Sequence, residues 1–251
     1  MDLRMDVRAA LKFTAFMTWT VGLYGIWFVA GFLIPNALYW RQVIFGAWTK
    51  GFVRISNMKI DIIGTPPKPP FFLVSNHLGY ADMAALRAVV TGVFVAKSEI
   101  KDWFLAGRIV RDMGTIFIDR TNRRDIPRAG DEIIERLNAG EGVIVFPEGT
   151  STKGEKVLPF NSSFFEFAAR SNTPVSYVSI SYRTPRSETP AHVAVCWWDD
   201  TGFLAHMWRL FKVREYTAVI TFGDMPVVNA DRKVLASQLH RRVAESFVPV
   251  L

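Results

Sequence analysis

Two short stretches of this 251-residue chain carry residue types that chemistry needs. The first is Asn76-His77-Leu78-Gly79-Tyr80-Ala81-Asp82. On one continuous helix His77 and Asp82 would point about 140° apart, given the helical repeat. A loop through Gly79, with Asp82 opening a helix, brings them together instead. A carboxylate bonded to one imidazole nitrogen fixes the tautomer and leaves the other nitrogen as a base, which suits removal of a proton from an alcohol. The same spacing also fits a loop histidine beside an ordinary N-cap aspartate. The second stretch is Phe146-Pro147-Glu148-Gly149-Thr150-Ser151. Gly149 lets the backbone approach a ligand closely, and free N–H groups there suit a phosphate or a developing oxyanion.

Several other chemistries are set aside. Gly149 to Gly154 has the glycine spacing of a phosphate loop, but Glu155-Lys156 follows where Lys-Ser/Thr is required. Lys153 occupies the position where a serine nucleophile elbow needs its last glycine. No Gly-x-Gly-x-x-Gly follows any strand. His77, His192, His206, His240 and Cys196 show no metal-ligand spacing, so no metal is expected. Cys196 is the single cysteine, has no internal partner and lies in an apolar setting that suits an inert buried thiol. The net charge of +7 favours acidic partners such as anionic lipid or an acidic carrier. Nucleic acid is not expected, because no zinc-finger spacing, RNA-binding sheet motif or long basic run is present. Arg123, Arg124 and Arg128 read as a basic surface near a helix start.

The elements that must position these stretches divide in two. From Phe13 to Ile34 the chain has no charge, a length of about 33 Å as a helix against a hydrocarbon core of about 30 Å. It is too long for a signal peptide's apolar run and no cleavage site follows it. Ala37 to Ser56 mixes aromatic and aliphatic residues with Arg41, Lys50 and Arg54, as an interfacial amphipathic helix would. The front reads as a spanning helix plus an interfacial one, as a helical hairpin dipped into one leaflet, or as a core helix. Residues 1–56 are therefore taken as membrane-anchoring helices and 57–251 as the main domain. Past the proline cluster Pro66–Pro70, strands are expected at Phe71–Ser75, Val93–Ala96, Thr115–Ile118, Val143–Phe146, Val175–Ser181, Ala191–Trp197 and Tyr216–Phe222. Helices are expected at Asp82–Val90, Glu99–Val110, Asp125–Asn138, Phe160–Ser171 and Asp231–Phe247. This alternation predicts an α/β fold, a mixed and largely parallel sheet covered by helices.

With Gly114-Thr115-Ile116-Phe117-Ile118-Asp119-Arg120 between them, the Asn-His-x₄-Asp and Phe-Pro-Glu-Gly-Thr-Ser blocks resemble the glycerolipid acyltransferases, in particular the bacterial 1-acylglycerol-3-phosphate acyltransferases. The resemblance implies that fold, with His77 as general base on the acceptor hydroxyl and Asp82 as its orienter. It places Lys97 and Arg120 on the glycerol phosphate, and Asn76, Glu148, Gly149, Thr150 and Ser151 among the substrate-binding residues. The implied acceptor is a lysophospholipid. The implied donor is acyl-CoA or acyl-ACP, a substrate rather than a bound cofactor; both donors are acidic. A bacterial inner membrane location follows, with the active site on the cytoplasmic side. Ser151 stands where many members carry arginine, Asn161 where lysine is common, and Tyr177 near a usual proline. These departures keep a lyso-ornithine lipid or another lysophospholipid open as acceptor. An inactive lipid-binding protein of the same fold is the alternative class, against which the intact His77, Asp82 and Glu148 argue.

Overall fold

The computed structural model describes residues 3–33, 37–103, 106–119 and 125–250. The chain opens with α1 (Leu3–Ala30) and α2 (Ala37–Ser56), then β1 (Met58–Ile63), β2 (Phe71–Ser75), α3 (Ala81–Val89) and β3 (Gly92–Lys97). It continues through α4 (Ala106–Asp112), β4 (Ile116–Ile118), α5 (Asp125–Asn138), β5 (Gly142–Val145), α6 (Glu166–Ser171) and β6 (Val175–Arg183). The final elements are α7 (Ala191–Ala194), α8 (Phe203–Lys212), β7 (Tyr216–Phe222) and α9 (Arg232–Ser246). The seven strands lie in the order β1-β7-β6-β2-β5-β3-β4. Every neighbouring pair is parallel except the antiparallel β6–β7. The expected mixed, largely parallel α/β sheet is the one found.

Side-chain alternation along β2 explains the layers. Phe71 and Leu73 join a cluster with α1, α2, α3 and α8; Phe72 and Val74 join one with α5, α6 and α9. All five β2 residues are buried, as a central strand covered on both faces requires. The Asp231 side chain accepts from Lys233 N and Val234 N, which caps α9.

Three segments differ from expectation. Ala191–Trp197 is not a strand: Pro190 starts the short helix α7, its carbonyl accepting from Val193 N and Ala194 N. Glu99–Val110 is not one helix but a 3₁₀ turn, Ser98–Asp102, followed by α4. Phe160–Ser171 becomes helical only after a 3₁₀ turn at Ser162–Phe165, where the Asn161 side chain accepts from Ser163 N. Strand β1 and helix α8 were not foreseen. Alternation in Met58–Ile63 is short, and α8 is only ten residues long.

The front two helices form an antiparallel hairpin. Trp19 Nε1 donates to Ala47 O at 3.2 Å, Trp48 Nε1 to Thr20 Oγ1 at 3.0 Å, and the Phe16 and Phe52 rings meet at 5.3 Å. Lys12 Nζ donates to Ser56 O and Val213 O, closing the carboxyl ends of α2 and α8 together. Arg41 is no interfacial anchor; it pairs with the buried Glu141 at 2.5 Å. Ser56 marks a change from helix to sheet without a break in the core, since Phe16, Phe45 and Phe52 share one cluster with Leu73 and Phe211. Helix α1 is long and apolar enough to cross a bilayer, and only 11% of its most apolar window is buried, although Ala9, Phe16 and Leu23 join the core. Large apolar side chains stand exposed near the hairpin tip, among them Phe28, Val29, Phe32, Leu33 and Tyr39.

Candidate active site

His77 lies two residues past β2, at the carboxyl end of the sheet's central strand, where ligands bind in open α/β sheets. Its Nδ1 lies 2.8 Å from Asp82 Oδ2. Asp82 is fully buried in the first turn of α3, and the loop wraps around it. Oδ2 also accepts from Leu78 N at 2.6 Å and Gly79 N at 3.0 Å, while Oδ1 accepts from Tyr182 Oη at 2.8 Å. An ionised carboxylate only accepts, so Nδ1 carries the proton and Nε2 presents its lone pair. The imidazole stacks on Phe146 with centroids 4.2 Å apart and an 18° tilt, and Phe146 in turn stacks on Phe94. The His77 side chain keeps 23% exposure, enough to reach an incoming substrate.

Gly79 is needed where the loop turns. Its φ is +155°, and a Cβ there would stand 2.9 Å from Trp197 N. The loop is held on that side by Trp197 N donating to Leu78 O at 2.7 Å.

The two sequence blocks form one unit. Glu148 Oε1 accepts from His77 N at 2.7 Å, and Thr152 N donates to His77 O at 3.0 Å. The main chain of the base is thus gripped on both sides by the loop after β5. Glu148 Oε2 accepts from Leu158 N at 2.8 Å. Burial pushes the Glu148 carboxyl up to about 7, the two N–H bonds hold it back, and the nearby Asp82 charge adds to the rise.

Several residues expected on the substrate are engaged elsewhere. Asn76 donates to Ile180 O and accepts from Ile180 N, at 2.9 and 2.8 Å, so its buried amide pins the loop to β6. Both Glu148 oxygens hold main chain. The Gly149 N–H closes a turn onto Phe146 O, with φ +78°. Ser151 Oγ donates to Trp197 O. Thr150 is exposed on that loop, and Lys97 is exposed at the carboxyl end of β3, two strands from His77. Arg120, Arg123 and Arg124 lie outside the described residues. Arg128 is paired with Asp125 and Glu132.

Sequence reasoning missed Tyr182 and His206. His206 is fully buried; its Nε2 donates to Cys196 O at 3.0 Å and its Nδ1 accepts from Tyr80 Oη at 3.1 Å. Burial pushes it down to about 4, so it stays neutral. Burial also raises the Cys196 thiol far above its usual range. Among the described residues no group of three His, Cys, Asp or Glu could hold a metal.

Comparison with known proteins places the chain in a family. The Acyltransferase family model matches residues 59–181. A 1-acyl-sn-glycerol-3-phosphate acyltransferase from Neisseria gonorrhoeae is 30% identical over 184 residues, 72% of this chain and 70% of that protein. A lyso-ornithine lipid O-acyltransferase from Brucella abortus is 29% identical over 217 residues, 81% of each chain. The crystal structure of the 1-acyl-sn-glycerophosphate acyltransferase from Thermotoga maritima has a like fold, with TM-score 0.67, 22% identity, and coverage of 96% of this chain and 97% of that one.

Proposed function

Because the chain belongs to the acyltransferase family, we propose that it moves a fatty acyl chain from an acyl-CoA or acyl-ACP thioester to the hydroxyl of a lysophospholipid, with His77 as general base. The carrying observation is the 2.8 Å contact between His77 Nδ1 and the buried Asp82, which leaves Nε2 to take a proton. As the hydroxyl oxygen attacks the thioester carbon, its proton passes to Nε2. The tetrahedral intermediate collapses, the sulfur leaves as thiolate, and the imidazolium returns the proton to it. General-base help of this kind contributes about 10²–10⁴-fold. Lys97 and Arg120 supply positive charge for an anionic head group, and no metal or bound cofactor is required.

The preferred acceptor is 1-acylglycerol-3-phosphate, giving phosphatidic acid. A lyso-ornithine lipid is the second reading. The Brucella abortus relative matches a larger share of the chain than the Neisseria gonorrhoeae one, and Ser151, bonded to Trp197 O, stands where a phosphate-binding arginine was expected. Residues 1–56 act as the membrane anchor: the exposed apolar tip of the hairpin enters one leaflet and the acceptor reaches His77 laterally. A bacterial inner membrane, with the site on its cytoplasmic side, fits that arrangement.

The test is acyl transfer by the full chain in lipid vesicles, offered a panel of lysolipids with each thioester donor. Product from one or more lysolipids is expected. A folded, membrane-bound protein that acylates none would overturn the enzyme reading.

A further inference from the structure

We propose that Tyr182 is a positioning residue for the acyl transfer, holding Asp82 through its second oxygen so that His77 stays aimed and tuned as a base. This rests on the reading of His77 as the base. The contacts divide unevenly between the two carboxylate oxygens. Oδ2 accepts from His77, Leu78 and Gly79, all within the loop, whereas Oδ1 accepts from Tyr182 Oη at 2.8 Å. Tyr182 comes from β6, the strand paired directly with β2, and is itself buried. The same strand is fixed two residues earlier, where both Ile180 backbone groups bond the Asn76 amide. One strand therefore holds the residue before His77 and the carboxylate behind it.

A buried carboxylate oxygen with its donor removed is costly, and the group turns to find another. Turning Asp82 would carry the imidazole with it. The hydroxyl also withdraws negative charge from the carboxylate, which moderates how strongly Asp82 stabilises an imidazolium. Burial and the Asp82 charge raise Tyr182 well above its ordinary value, so it remains a donor throughout the working range.

Among the described residues, the titratable groups that act on the Asp82–Tyr182 pair are His77 on its own loop, Glu148 after β5, Tyr216 on β7 and Cys196 after α7. Burial keeps Tyr216 and Cys196 neutral, while Glu148 titrates in a useful range. Tyr216 provides a matched control. It is also a buried tyrosine, its ring is 6.1 Å from that of Tyr182, and its hydroxyl donates to Ser56 Oγ rather than to Asp82.

The experiment compares wild type, Tyr182→Phe and Tyr216→Phe in the full chain. It reads the proton resonance of His77 Nδ1–H by NMR, and the pH profile of kcat/KM. In Tyr182→Phe the carboxylate becomes a stronger acceptor, so the resonance moves downfield and the acid limb moves to higher pH. A lost hydrogen bond to a charged group predicts a fall in kcat of about 10- to 100-fold with KM for the lysolipid within about twofold. Tyr216→Phe leaves the resonance and the acid limb in place. Tyr182→Phe with an unmoved resonance overturns the proposal, as does an equal shift in Tyr216→Phe. If Tyr182→Phe does not fold, 3-fluorotyrosine at position 182 keeps the bond with a more acidic hydroxyl; the resonance then moves upfield, and an unmoved one overturns the proposal. Should the wild type transfer no acyl chain, the functional reading fails while the resonance still decides the role of Tyr182.

Discussion

Replacing Glu148 with Gln removes one acceptor from a two-point clamp. In the wild type Oε1 accepts from His77 N at 2.7 Å and Oε2 from Leu158 N at 2.8 Å. A glutamine offers one oxygen and one NH₂ group, so one main-chain N–H must face another donor. A buried donor left without an acceptor costs about 1–3 kcal/mol. For a chain of this size each kcal/mol lowers the melting temperature by roughly 2–4 °C. The pH dependence adds a second signature. Glu148 rises from 4.5 in the unfolded chain to about 7 in the fold, so the folded state holds the proton more tightly. Its contribution to stability is fully present below 4.5 and is lost as pH rises through about 7. Glu148→Gln has no such slope, so the gap between the two proteins narrows as pH rises. Urea unfolding at about pH 5.5 and about pH 8 measures both effects. Because Glu148 grips the main chain of the base, the variant loses kcat more than it raises KM. A variant within about 0.5 kcal/mol of wild type at both pH values would refute the clamp.

His206 predicts an opposite pH trend. Burial lowers it from 6.5 to about 4, so the unfolded chain binds more protons between those values; the contribution is complete above 6.5 and lost as pH falls toward 4. His206→Gln flattens that acid-side slope in a denaturant titration, and an unchanged slope would contradict the assignment. At the hairpin tip, Phe28, Phe32 and Leu33 are exposed by 57%, 78% and 77%. Burying such side chains in lipid contributes about 1.5–3 kcal/mol each, so changing all three to Ser weakens vesicle flotation more than 100-fold, roughly, without lowering the melting temperature. Unchanged flotation would remove the tip from the membrane-binding account. Deleting residues 1–56 is a poorer test, since it also strips Phe16, Phe45 and Phe52 from the core.

What the sequence disclosed and what it hid follow from the range of each interaction. β2 and β5 were legible because central strands are unbroken apolar runs. The helix Asp125–Asn138 was legible from its acidic start and the glycine beyond its end. The folding of His77 onto Asp82 depended on one glycine in a short loop. Asn76, Glu148 and Ser151 read as substrate-binding residues from the resemblance to the acyltransferase blocks, and their structural bonds could not be seen in the sequence. Their partners are Ile180, Leu158 and Trp197, which only the folded chain brings near. Tyr182 carried no signal: in sequence it is one tyrosine just past the expected strand Val175–Ser181, which the structure extends to Arg183. The short helix α7 was mistaken for a strand because its apolar residues had no length to show a helical period.

In the proposed reaction the lone pair of His77 Nε2, set by Asp82, accepts the acceptor's hydroxyl proton. The most direct measurement is the single-turnover rate of acyl transfer in vesicles by wild type and His77→Ala, with binding of both substrates held at saturation. His77→Ala is expected to keep its fold and membrane binding and to lose about 10²–10⁴-fold in that rate. A His77→Ala enzyme turning over at the wild-type rate would contradict it.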